Sequence, residues 1–193
     1  MAKLKSSFTN MVLVLTAVSL VASSILAYVY EITKAPIAKA ALDKKLNAIS
    51  EVVPAFDNNP NADMFKLKTF DNTDSLEVYP AKKDGKTVGY AVKTYTMKGF
   101  SGLVELMVGF TADGVIFNTA ILAHHETPGL GAKMTTPGFK NQFKGKNPTE
   151  FHLQVKKDGG DVDAITAATI SSRAFCDAVD RAYKTLKDGG IIQ

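Results

Sequence analysis

The segment LEVYPAKKDGKTVGYAVKTYTMKGFSGLVELMVGFTADGVIFNTAIL, residues 76–122, decides the fold. Its texture has period two, and it is punctuated by Asp84-Gly85 and Asp113-Gly114, hairpin dipeptides flanked by β-branched and aromatic residues. This pattern predicts strands near 76–82, 87–96, 103–110 and 115–122 in an antiparallel meander, with Gly99 and Gly102 bracketing Phe100-Ser101 at a bend. On the C-terminal side follows a glycine-rich loop, Glu126 to Gly131. A mixed segment then runs to Gly160 with one short helix expected around Phe139 to Phe143. A last helix starts near Thr169 to Ser172 and ends at Asp188-Gly189-Gly190. Phe175, Ala178, Val179, Ala182, Tyr183 and Leu186 form its buried stripe, and Cys176 lies one position off it as a small, partly buried side chain.

On the N-terminal side, 57–63 holds three Asn, two Asp and a Pro and reads as a loop. Before it, Lys34 to Val53 reads as an amphipathic stalk helix with Leu42, Leu46, Ile49 and Val53 at helical spacing. Pro36 stands near its start and Pro54 after its end. The expected class is α+β: one N-terminal transmembrane helix, then an exterior domain with an antiparallel sheet and flanking helices.

No charge falls between Lys5 and Glu31. The stretch Met11 to Tyr30 has sixteen apolar residues in twenty, and as a helix it spans roughly 30 Å, the thickness of a bilayer's hydrocarbon core. Thr16, Ser19, Ser23 and Ser24 are small and can return hydrogen bonds to their own backbone. Tyr28 and Tyr30 stand at the far end, as in an aromatic belt. A cleaved signal peptide has a shorter apolar core and a small-x-small site, so a retained anchor is the expectation. Lys3 and Lys5 before the span put the N-terminus in the cytoplasm and the domain outside.

The chain of 193 residues suits one ordinary domain beside the anchor, and 22% charged residues exclude both wholesale disorder and a polytopic membrane protein. Beyond residue 30, 21 Lys or Arg face 19 Asp or Glu, with no basic run interleaved with aromatics; nucleic acid is not an expected partner. One Cys excludes an intramolecular disulfide framework and a Cys-only metal or iron–sulfur site. His124-His125-Glu126 is no metal motif, because adjacent strand residues point to opposite faces and His152 is distant. No Walker loop, GxGxxG or nucleophile elbow is present.

Two segments stand out. In His125-Glu126-Thr127-Pro128-Gly129-Leu130-Gly131, directly after a strand, proline and glycine build a tight loop whose N–H groups can approach a ligand closely. In Asp163-Ala164-Ile165-Thr166-Ala167-Ala168-Thr169-Ile170-Ser171-Ser172, small residues crowd a helix start whose free N–H groups favour an anion. Alone, each suits a rigid turn or an ordinary N-cap; together they suggest a phosphorylated cofactor held between them.

ETPGLG at 126–131 followed by D-x-x-T-A-A-T at 163–169 resembles the FMN-binding domain of RnfG and NqrC, subunits of ion-pumping electron-transfer complexes. The N-terminal anchor, the stalk ending at Pro54, the Gly-Phe-Ser-Gly bend at 99–102 and the DG hairpin at 113–114 match in order. The resemblance implies a domain order of anchor 1–30, stalk 31–56 and FMN-binding domain 57–193. It implies covalent FMN, attached by a flavin transferase through a phosphoryl-threonine link to Thr169, with Asp163 as the transferase's recognition residue. Thr166, Ala167, Ala168, Glu126, Thr127, Gly129, Leu130 and Gly131 complete the expected cofactor site, with Leu130 on a ring face. No side chain is expected to act as acid or base.

The family has Gly where this chain has Ala167. If the position needs φ > 0, Ala is strained by about 1 kcal/mol; if it is already helical, Ala is harmless. Its place at a helix start favours the helical conformation. The resemblance implies the RnfG-type subunit of an assembly exchanging electrons between ferredoxin and NAD while moving Na⁺ or H⁺. Its partners would be membrane, iron–sulfur and flavin subunits and the lipid of the cytoplasmic (inner) membrane. The alternatives are an NqrC-type subunit, a free-standing anchored flavoprotein, and a non-redox binding or sensor domain never flavinylated at Thr169.

Overall fold

The computed structural model describes residues 7–192. The chain divides into two compact units, Met1–Asp43 and Lys44–Gln193. The first is built from helix α1, Phe8–Val52, whose last turns belong to the second unit. α1 contains a stretch long and apolar enough to cross a membrane, with its side chains exposed. Ser24 returns a hydrogen bond to the Leu20 carbonyl at 2.8 Å, as a small polar residue in an apolar helix must. Pro36 lies inside α1 and does not begin a separate stalk helix; its missing N–H removes one helical hydrogen bond, which the long helix tolerates. Lys3 and Lys5, on which the orientation rests, lie outside the described residues.

The second unit is a five-stranded antiparallel meander in the order β1-β2-β3-β4-β5. Its strands are β1 Phe65–Lys68, β2 Ser75–Lys83, β3 Lys86–Gly99, β4 Gly102–Thr111 and β5 Ile116–His124. Four of these are the strands the hairpin dipeptides predict. At Asp84-Gly85 both residues have positive φ (51° and 75°), the pairing of a type I′ turn that matches the twist of the flanking strands. β1 is the addition, a four-residue edge strand pairing Phe65 with Val78, too short for its alternation to register in the sequence.

Alternation gives the sheet two apolar faces. Val78, Val92, Leu106, Val108 and Phe110 point to the front, where they pack against helix α3, Thr169–Asp188. The stripe of α3 is buried as its spacing requires, and Cys176 is buried with it, more deeply than its off-stripe position suggests. Thr94 of β3 donates to the Ala178 carbonyl at 2.9 Å, satisfying a hydroxyl in this interface. Phe175 meets Phe139 and Phe143 with ring centroids 5.2 and 4.8 Å apart, which closes the core below the short helix α2, Pro137–Lys140. Each such buried aromatic contributes about 1.5–3 kcal/mol. On the back, Tyr79, Ala81, Ala91, Met107, Ala120 and Leu122 bury Ile49, Val52 and Val53 from the end of α1. The front face, with α3 leaning on β3, fixes the position of the candidate site.

Candidate functional site

Three backbone segments converge at one end of the sheet: the β3–β4 bend, the loop after β5 and the start of α3. They line a cleft of about 340 Å³, within the range of small-molecule sites. The bend contributes Phe100; the loop contributes Glu126, Thr127, Leu130 and Gly131; the helix start contributes Ala167, Ala168, Thr169, Ile170 and Ser171. Phe100, Leu130 and Ile170 are 68, 42 and 47% exposed, giving the opening an apolar rim.

Glu126 holds the three segments together. Its Oε1 accepts from the Ser101 N–H at 3.1 Å, and its Oε2 accepts from the Ser171 hydroxyl at 2.6 Å. Its own N–H donates to His124 Nδ1 at 3.2 Å, tying the loop to the end of β5. After Glu126 the loop closes on itself, since the N–H groups of Leu130 and Ala132 both donate to the Thr127 carbonyl at 3.2 Å.

The start of α3 has an apolar N-cap. Ala168 occupies that position (φ −139°, ψ 45°) and supplies no side-chain cap. Thr169, Ile170 and Ser171 form the first helical turn, where N–H groups have no acceptor within the helix. Ser172 braces the entry by accepting from the Ile165 N–H at 2.9 Å and donating to the Ala168 carbonyl at 3.0 Å. A small-residue entry with free N–H groups and a partly exposed Thr169 suits an anionic group at this corner.

Ala167 corrects the sequence reading. It has φ +60°, the left-handed region, and not the helical conformation its place suggested. The turn before the N-cap must reverse the chain into the helix, and glycine would do so without the cost of about 1 kcal/mol that Ala bears.

Not every expected residue reaches the cleft. Gly129 (φ +76°) shapes the loop from outside the lining, and Thr166 is exposed on the turn. Asp163 is also exposed, 2.8 Å from Lys156 Nζ, with its backbone clamped by Gln142 through bonds of 2.8 and 3.2 Å. Conversely, Phe100, Ile170 and Ser171 line the cleft without having been singled out for it. Phe100 carried a signal, a large apolar side chain between two glycines at a bend with no core to enter. Ile170 carried a weaker one, since it lies off the stripe of its helix.

Residues 99–184 match the FMN-binding domain family. The chain is 34% identical over 187 residues to the G-type subunit of the Na⁺-translocating ferredoxin:NAD⁺ oxidoreductase complex of Acetobacterium woodii, covering 91% of this chain and 90% of that one. The chain belongs to the G-type subunit family of ion-translocating oxidoreductase complexes. The corresponding G-type subunit of the ion-translocating oxidoreductase complex of Erwinia tasmaniensis is 44% identical over 115 residues. There the chain spans about half the relative's length, 55% of it against 57% of this one. Among solved structures it is similar to the C-type subunit of the Na⁺-translocating NADH-quinone reductase of Parabacteroides distasonis. That likeness has 25% identity and a TM-score of 0.44 over 58% of this chain and 59% of that chain, and it leaves function to the sequence relatives. The FMN-binding match spans the bend, the loop and the helix start, so all three walls of the cleft lie inside that domain.

Proposed function

We propose that this chain is the membrane-anchored electron-transfer subunit of an Rnf-type ion-translocating ferredoxin:NAD oxidoreductase, carrying FMN on Thr169. The observation that carries the reading is the cleft, where a first-turn threonine meets an apolar-rimmed opening inside a matched FMN-binding domain. Bound FMN supplies the redox chemistry, taking up and releasing electrons. The chain's residues hold and orient it. The N–H groups of the first turn of α3 face the phosphate, and the helix end stabilises its charge by about 0.3–1 kcal/mol when exposed. Leu130, Phe100 and Ile170 supply apolar surface for the ring, and Thr127 a hydrogen-bonding group at its edge. A phosphoester to the Thr169 hydroxyl keeps the cofactor from dissociating on the dilute exterior side.

Asp163 and Thr166 belong to the same reading in a different role. Both are exposed beside the helix start and outside the cleft, which suits recognition by a flavin transferase during maturation. The anchor over 1–30, the stalk over 31–56 and the flavin domain over 57–193 then form one single-pass subunit of the cytoplasmic membrane. Its N-terminus is inside and its partners are the complex's membrane, iron–sulfur and flavin subunits. The relatives' names support that assembly.

Intact mass of the protein from its native membrane tests the reading. A gain equal to FMN minus one water, mapped to the peptide containing Thr169, is expected. Thr169→Ala should abolish denaturation-resistant flavin fluorescence while leaving the fold intact, since the cap is Ala168. Flavin retained by Thr169→Ala after denaturation would overturn the attachment site.

A further inference from the structure

Glu126 carries more charge than its structural task requires. It is 5% exposed, and both carboxylate oxygens are acceptors, from the Ser101 N–H and the Ser171 hydroxyl. No ion pair among the described residues includes it. Space for the group is kept by glycine on two sides. A Cβ at Gly99 would lie 2.7 Å from Oε1, and one at Gly131 would lie 2.4 Å from Oε2. A buried carboxylate without a cation is costly. The compensation here is the positive end of α3, reached through Ser171 in its first turn. Glutamine would have the same reach, accepting from Ser101 with its carbonyl and donating to Ser171 with its amide. The charge itself therefore has a use, and it stands on the wall of the cleft.

We propose that Glu126 is a potential-setting residue: its fixed negative charge lowers the reduction potential of the flavin held in this cleft. The inference rests on the reading that FMN occupies the cleft. A negative group on the wall of a site shielded from water opposes the electron added on reduction. The electron comes from the one-electron donor and leaves to the acceptor. No bond to Glu126 forms or breaks, and any proton taken up comes from solvent.

The test uses the full chain, matured with its transferase and solubilised from the membrane, as wild type, Glu126→Gln and Ser171→Ala. Flavin fluorescence in a denaturing gel first establishes that each carries the cofactor. Redox titration with dithionite, mediators and absorbance detection then gives the potential. Glu126→Gln should raise the reduced-to-oxidised ratio at a given solution potential about tenfold, or about 59 mV for one electron. Ser171→Ala keeps the charge and removes its compensating hydrogen bond, so its potential should fall. Loaded Glu126→Gln with an unchanged or lower potential overturns the inference. If that variant does not fold, Ser171→Ala with an unchanged or higher potential does the same. Wild type without flavin overturns the functional reading instead, and the gel distinguishes this before any potential is measured.

Discussion

Glycine lets the chain come too close for a side chain at two places in the domain, with opposite results. On the back face, a Cβ at Gly109 would lie 1.6 Å from the Val52 carbonyl oxygen, and beside it a Cβ at Gly89 would lie 3.2 Å from Pro54 Cδ. At the cleft, a Cβ at Gly131 would lie 2.4 Å from both Glu126 Oε2 and Ser171 Oγ. The first gap is filled by backbone, which cannot withdraw without moving the end of α1. The second is filled by the tips of side chains, with an open cleft alongside. One residue type thus seats a segment of chain on the back and builds a polar wall at the site. What differs is whether the neighbour can give way.

The largest effect expected from this contrast is at Gly109. Gly109→Ala should destabilise the domain by more than about 3 kcal/mol in urea denaturation, because the methyl group collides with main chain. A loss below about 1 kcal/mol would break the comparison. Gly131→Ala should cost less, about 1–2 kcal/mol, because Glu126 and Ser171 can rotate away. Its flavin content per protein should fall further than its stability, as the wall moves. The next effect has the opposite sign. Ala167→Gly should stabilise by about 1 kcal/mol by relieving the left-handed Ala, with flavin content equal to or above wild type. Lower flavin content in Ala167→Gly would mean that this turn must be stiff for the transferase.

The smallest perturbation is a chemical label. Burial pushes the Cys176 thiol up to about 12, so at about pH 8 the folded domain should resist iodoacetamide and react fully only in urea. The raised value contributes stability that is present below the ordinary thiol value of 9.0 and is lost as pH rises toward 12. The same label measures how far each glycine variant loosens the front face. Gly109→Ala should expose Cys176 at lower urea than Gly131→Ala, and the reverse order would invert the contrast.

Much of the fold is legible in local patterns. The Asp-Gly turns and period-two texture are short-range signals, and they specify four strands and their meander before any packing is considered. The stripe of α3 is equally local. β1 is not, since four residues with half-buried alternation gain their strand character only from the register with β2. Pro36 misleads for the opposite reason: a proline is a probable helix boundary, yet the apolar and small residues on both sides carry α1 through it.

The sequence by itself determined the residue types for a flavin site: a close-approach loop, a small-residue helix entry and a threonine where the resemblance requires one. It determined these because turn chemistry and helix starts are written in neighbouring residues. Only the tertiary structure decided which of them share a wall. It set Phe100, Ile170 and Ser171 in the cleft and left Asp163, Thr166 and Gly129 outside it. It also gave Ala167 a positive φ, because the direction in which α3 leaves the turn is fixed by packing against β3 and not by the residues of the turn. The buried position of Glu126 is a long-range fact of the same kind. Its partners are 25 and 45 residues away in the chain, and no local pattern joins them.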